Sequence, residues 1–176
     1  MNAAPTGRLA EILKSLLSDV FAFYYRAHSS HWNVVGQDFS QYHALFDMIV
    51  GDVYESIDPL AENVRKLDAF TPSSLRDIAA GSSIGSGPVK FDPASLAADL
   101  LAANENIITK WKLVFTAADA VNEQGIANFA AERIDMHQKW RWQLKSSVSV
   151  TMDLTSLQMD LDGDGDTVVD LDNDGM

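Results

Sequence analysis

At 176 residues and 47% hydrophobic content the chain is long enough to bury one sizeable core, and it has no cysteine, which excludes disulfides and thiolate metal sites. No apolar run approaches the roughly 20 residues of a spanning helix, and the start MNAAPTGRLAEI lacks the basic and apolar regions of a signal peptide, so a cytoplasmic protein with no membrane association is expected. The formal net charge of −12 is mostly a property of residues 151–176, which hold eight of the 25 acidic side chains and no Lys or Arg, leaving 17 acids against 13 bases in the body; Arg8 is the only basic residue before Lys14, so DNA binding is not expected.

Apolar residues recur at helical spacing from Leu9 through Ile12, Leu13, Leu16, Leu17, Val20, Phe21 and Tyr24, and the pattern persists toward His31. This predicts a long first helix. Residues 33–38, with Gly36, supply a break, after which Asp38 or Ser40 could cap a second helix running through Tyr42, Leu45, Phe46, Ile49, Val53, Ile57, Leu60 and Val64. Pro59 removes a backbone donor inside it and is expected to bend it beside Asp58. Residues 71–93 are rich in Ser, Gly and Pro and read as a long crossover with a short helix near Leu75 to Ala79. Helical patterns resume over residues 94–118 and 123–150. The expectation is an all-α four-helix bundle over residues 1–150, with a short helix in the central connection, followed by an acidic C-terminal tail over 151–176.

The second predicted helix and the end of the first carry the chemistry. His31, His43, Asp47, Asp58 and Glu62 are five metal-capable side chains; His43/Asp47 and Asp58/Glu62 are each four apart, which places each pair on one helix face. Asp47 and Asp58 are eleven apart, about three turns, so the pairs share a face yet lie about 16 Å apart along the axis. One chain cannot close a site with both. A second copy running antiparallel could, by setting Asp58 and Glu62 beside the other copy's His43 and Asp47. Imidazole with carboxylate suits borderline first-row metals such as Fe(II), Mn(II) or Zn(II), and a shell left open would admit oxygen or peroxide to iron. Apolar neighbours Val50, Ile57 and Leu60 imply that the carboxylate face is at most half exposed; Tyr42 and Tyr54 read as packing residues, and Trp32 as packing or, beside a redox metal, as an oxidisable aromatic that donates electrons.

These residues, in the frame His31-Trp32-Asn33-Val34, Gly36, Phe39, His43, Phe46-Asp47, Asp58, Ala61-Glu62 and Leu67, resemble the Dps-type mini-ferritins, and HQKWRWQLK more weakly resembles the closing helix of that family. The resemblance covers about residues 8–149. It implies a ferritin-like subunit that assembles as a homo-oligomer, a hollow dodecamer. It also implies an inter-subunit ferroxidase site of His31, His43 and Asp47 with Asp58 and Glu62 of the two-fold mate. That site would oxidise Fe(II) with hydrogen peroxide or oxygen and store ferric mineral, protecting against oxidative stress. The family's basic terminal extension is absent here, and its acidic pore pattern is replaced by Glu123, Ile126 and Asn128, with Glu132 and Asp135 nearby.

The tail contains Asp160-x-Asp162-x-Asp164-Gly165, repeated as Asp170-x-Asp172-x-Asp174-Gly175. Alternating Asp followed by Gly converges carboxylates on a hard cation, so calcium binding stands beside a plain disordered acidic tail. Leu171 occupies the position of the closing bidentate Glu of an EF-hand. A second functional class therefore stays open: a structural shell or scaffold subunit with a vestigial iron site and a calcium- or partner-binding tail.

Overall fold

The computed structural model describes residues 5–85, 87 and 90–161, with the side chains of residue 5 and of residues 149–161 left out of account. Five helices and no strand occur among the described residues: α1 (Pro5–Asn33), α2 (Phe39–Lys66), α3 (Leu75–Gly81), α4 (Pro93–Asp119) and α5 (Gln124–Leu161). Short links join α1 to α2 and α4 to α5, giving two helical hairpins, and α1 lies against α4 to close the bundle. The long crossover from α2 to α4 carries α3, which packs on α1. Among the described residues no helix is long and apolar enough to cross a membrane.

The apolar stripes of the helices meet in one core. Leu13, Leu16, Val20 and Phe23 of α1, Phe46, Ile49, Val53 and Leu60 of α2, Leu100, Ile107 and Trp111 of α4, and Leu144 of α5 are fully buried. The expected helix periodicity thus identifies the buried faces.

Several local expectations are corrected. Ser40 lies inside α2, and Asp38 precedes it in left-handed backbone (φ 63°) with no side-chain capping bond. The backbone closes the turn: the N–H groups of Gln41 and Tyr42 donate to the Asp38 carbonyl at 3.0 and 3.2 Å, while Gly36 supplies φ +114°. Pro59 does not interrupt α2, which runs continuously through it, because the adjacent turns and the buried Leu60 and Val64 hold the helix on the core. α5 continues eleven residues beyond the expected end at Val150, since no Gly or Pro occurs between Ile126 and Leu161. Side-chain caps do begin α3 and α4: Ser74 Oγ accepts from Asp77 N–H, and Asp92 accepts from Ser95 N–H at 2.9 Å ahead of Pro93 at the first helical position.

One interior tie anchors the crossover. Asp19, fully buried on α1, pairs with Lys110 of α4 and accepts from Ser82 Oγ (2.9 Å), Ser83 N–H (2.5 Å) and Ser83 Oγ (3.2 Å). A buried carboxylate is tolerated because it is both paired and hydrogen-bonded.

Candidate metal centre

The turn between α1 and α2 brings the first three candidates together. The His31 and His43 rings lie 3.8 Å apart between centroids at 36°, and His31 Nδ1 stands 3.9 Å from Asp47 Oδ1. His31 Nδ1 is also 3.1 Å from the His43 carbonyl oxygen. A carbonyl only accepts, so Nδ1 carries the proton and Nε2 is left with the lone pair, the arrangement that prepares an imidazole to bind metal through Nε2. The two histidines are half-buried, whereas the Asp47 side chain is 69% exposed.

Asp58 and Glu62 sit farther along α2, both exposed. Among the described residues, no three His, Asp or Glu side chains of one chain are grouped so as to hold a metal ion. About 16 Å along the helix axis keeps Asp58 and Glu62 away from Asp47, and His31, His43 and Asp47 approach one another without themselves forming such a group. The expectation that their face is at most half exposed is corrected: within one chain all three carboxylates are solvated, because Val50 and Leu60 turn into the core beside them.

An aromatic group surrounds the histidines. His28 stacks on Trp32 at 4.1 Å between centroids and shares a 3.1 Å hydrogen bond with the Tyr24 hydroxyl, and Tyr24 lies 5.5 Å from Tyr54. Trp32 and Tyr54 are 59% and 62% exposed, so neither is the packing residue expected, whereas Tyr42 does pack, against Phe46. The acidic candidates Glu132 and Asp135 are exposed on α5. Of the aspartates in the repeated tail motif, Asp160 falls in the last turn of α5 without a described side chain, and Asp162, Asp164, Asp170, Asp172 and Asp174 lie outside the described residues.

Behind this face is a polar network that sequence reasoning missed. Asp52 of α2 accepts two hydrogen bonds from Arg133 (2.9 and 2.7 Å) and one from the Trp140 indole N–H (2.7 Å). Burial pushes the Asp52 carboxyl up, but the bonds from Arg133 and Trp140 outweigh it and hold the group below its ordinary range. One turn away on α5, His137 is fully buried, with Nδ1 2.7 Å from Asn104 Oδ1 and the Asn104 amide donating to the His137 carbonyl at 2.8 Å. Burial first, and the nearby Arg133 charge second, hold this imidazole down to about 3. The sequence signal was present in Asp52 itself, a carboxylate three residues after the core residue Ile49 on the inward side of the helix.

Comparison with known proteins places these features. A ferritin-like domain model matches residues 10–151. Antigen TpF1 of Treponema pallidum is 30% identical over 83 residues, 47% of each chain, and the DNA protection during starvation protein of Helicobacter pylori is 37% identical over 57 residues, 32% of this chain and 40% of that one. The chain spans about half the length of the curated relatives it matches. In structure it is similar to the Dps protein of Vibrio cholerae O1, described as a member of the ferritin-like diiron-carboxylate superfamily, with a TM-score of 0.79, 24% identity and coverage of 84% of this chain and 93% of that one. The chain belongs to the ferritin-like domain family and has the Dps-type fold.

Proposed function

We propose that this chain is the subunit of an iron-oxidising, iron-storing shell. In this reading Fe(II) is the substrate, bound where His31, His43 and Asp47 of one copy face Asp58 and Glu62 of a two-fold mate. Two Fe(II) reduce one hydrogen peroxide with two protons to two waters, or dioxygen serves as oxidant, and the ferric product is kept inside a cytoplasmic dodecamer. The observation that carries the reading is the juxtaposition of His31, His43 and Asp47 at the α1–α2 turn, with Asp58 and Glu62 exposed on the same helix. Imidazole nitrogen and carboxylate oxygen are the donors Fe(II) accepts, and half-sites that are open in one chain are what a shared site requires.

The chain's own groups have separable roles. His31 is held by its Nδ1–H bond to the His43 carbonyl, so its free nitrogen is oriented before metal arrives. Asp47, Asp58 and Glu62 neutralise the cation, and their exposure in one chain leaves them free to meet it at the junction with a second copy. The test is peroxide-driven Fe(II) oxidation by the intact assembly. His43→Ala and Glu62→Ala should each slow it sharply, and unchanged rates in both would sink the proposal.

The second reading is a shell or scaffold subunit with a vestigial site. It predicts an assembly of normal mass that neither binds nor oxidises Fe(II), with calcium taken up by the aspartate repeat.

A further inference from the structure

α2 presents four of the five candidate ligands outward, while its inward face is gripped by groups to which the proposed reaction gives no role. Asp52 follows Asp47 by five residues and precedes Asp58 by six, so at about 100° per residue it points roughly 120–140° away from both. Its two oxygens take separate bonds from Arg133 Nη1 and Nη2, and one of them also takes the Trp140 N–H. Arg133 and Trp140 are buried on α5. A second tie stands next to His43, where the Tyr42 hydroxyl donates to the Ser147 carbonyl at 3.0 Å.

The packing partner of α2 is chiefly α1, through apolar contacts. Hydrophobic burial is non-directional and resists rotation or sliding of a helix only weakly. Three hydrogen bonds from two planar donors onto one carboxylate specify both rotation and height. A buried ion pair adds little net stability over a well-packed apolar pair, so what distinguishes this one is the register it imposes.

We infer that Asp52, locked by Arg133 and Trp140, is a positioning residue that sets the rotation and axial height of α2 and thereby presents His43, Asp47, Asp58 and Glu62 in fixed register to the second copy. The inference rests on the iron-site reading for the chemistry of those four residues. It assigns a role to an inward carboxylate that touches no metal.

The experiment uses the full-length assembly with Co(II) as the probe, read by its visible ligand-field absorption, alongside Fe(II) oxidation kinetics. The double variant Asp52→Leu/Arg133→Leu removes the lock without leaving an unpaired charge, so it should keep assembly mass, with a thermal midpoint lowered only by the unpaired Trp140 N–H. It should nevertheless shift the Co(II) spectrum and raise the KM for Fe(II) at least threefold. A wild-type Co(II) spectrum and wild-type kinetics in that variant would overturn the inference and leave the lock purely structural. If the double variant does not assemble, Arg133→Lys decides: it keeps the charge without the planar fork, so a shifted spectrum supports the inference and an unshifted one overturns it. His43→Ala in parallel should abolish the Co(II) signal. A retained signal there would overturn the iron-site reading itself, and the positioning role with it.

Discussion

His31 Nδ1 lies 3.1 Å from the backbone carbonyl oxygen of His43, so the first candidate ligand is oriented by the main chain of the second. The bond ties the end of α1 to α2 and selects the tautomer with a free Nε2. Asn and Gln separate these two jobs, because the Asn amide approximates the position of Nδ1 and the Gln amide that of Nε2. His31→Asn should keep the thermal midpoint and lose Fe(II) oxidation by more than about tenfold, the lower end for disturbing even an outer partner of a metal ligand. His31→Gln should lower the midpoint more than Asn does. Thermal melts and stopped-flow oxidation of the two variants check this directly.

His137 makes the bundle acid-sensitive. Its imidazole is held near 3 in the fold, below the value of about 6.5 it has in an unfolded chain. Between those values the unfolded state binds the extra proton, so stability is fully present above about pH 6.5 and falls as pH drops toward 3, by about 1.4 kcal/mol per pH unit for one proton. Asp52, also held low, adds to the loss below the ordinary carboxylate range. The variant His137→Leu/Asn104→Leu, which removes both hydrogen-bond partners together, should flatten the stability profile between about pH 6.5 and 4. Denaturant titrations across that interval would show an unchanged slope if another group were responsible.

The four long helices were legible because each buries one continuous apolar stripe, as in Leu9–Leu13–Leu16–Val20 and Ile49–Val53–Leu60–Val64. The candidate ligands were legible for the same geometric reason, their spacing on α2. Asp52, Arg133 and His137 were not. Each interrupts an apolar stripe, and a stripe read along one helix does not name a partner 81 residues away on another. Tyr54 and Trp32 were misjudged for the converse reason: among the described residues nothing from another helix covers their exposed sides on the outer face of α2 and the end of α1.

Asp19 should prove the costliest single truncation outside the apolar core. Removing its carboxylate strands the partly buried Lys110 and frees Ser82 and Ser83, which hold the crossover against α1. Asp19→Ala is expected to destabilise by about 3–5 kcal/mol, the range for breaking a buried pair by one partner. It should also open residues 82–84 to protease. Asp19→Ala/Lys110→Met should recover part of the stability without restoring protection of the crossover, since the serine contacts are still missing. Limited proteolysis beside urea denaturation distinguishes the two effects.

Pro59 offers a stability gain that the fold leaves unused. α2 continues through it, so the Glu55 carbonyl one turn earlier lacks its helical donor and the ring crowds that turn. Asp58, immediately before it, is kept helical against the extended preference of a residue preceding proline. Pro59→Ala restores the donor and removes the crowding. It gives back some unfolded-state entropy, about 0.4–1 kcal/mol, against a helix-interior penalty of about 3 kcal/mol. The net expectation is a gain of about 2 kcal/mol and a higher thermal midpoint. Asp58 keeps its place on the outer face, so Fe(II) oxidation should stay at the wild-type rate. A lower midpoint would mean that packing of the partly buried ring outweighs the missing hydrogen bond, and a raised midpoint with slowed oxidation would mean that the proline sets the position of Asp58.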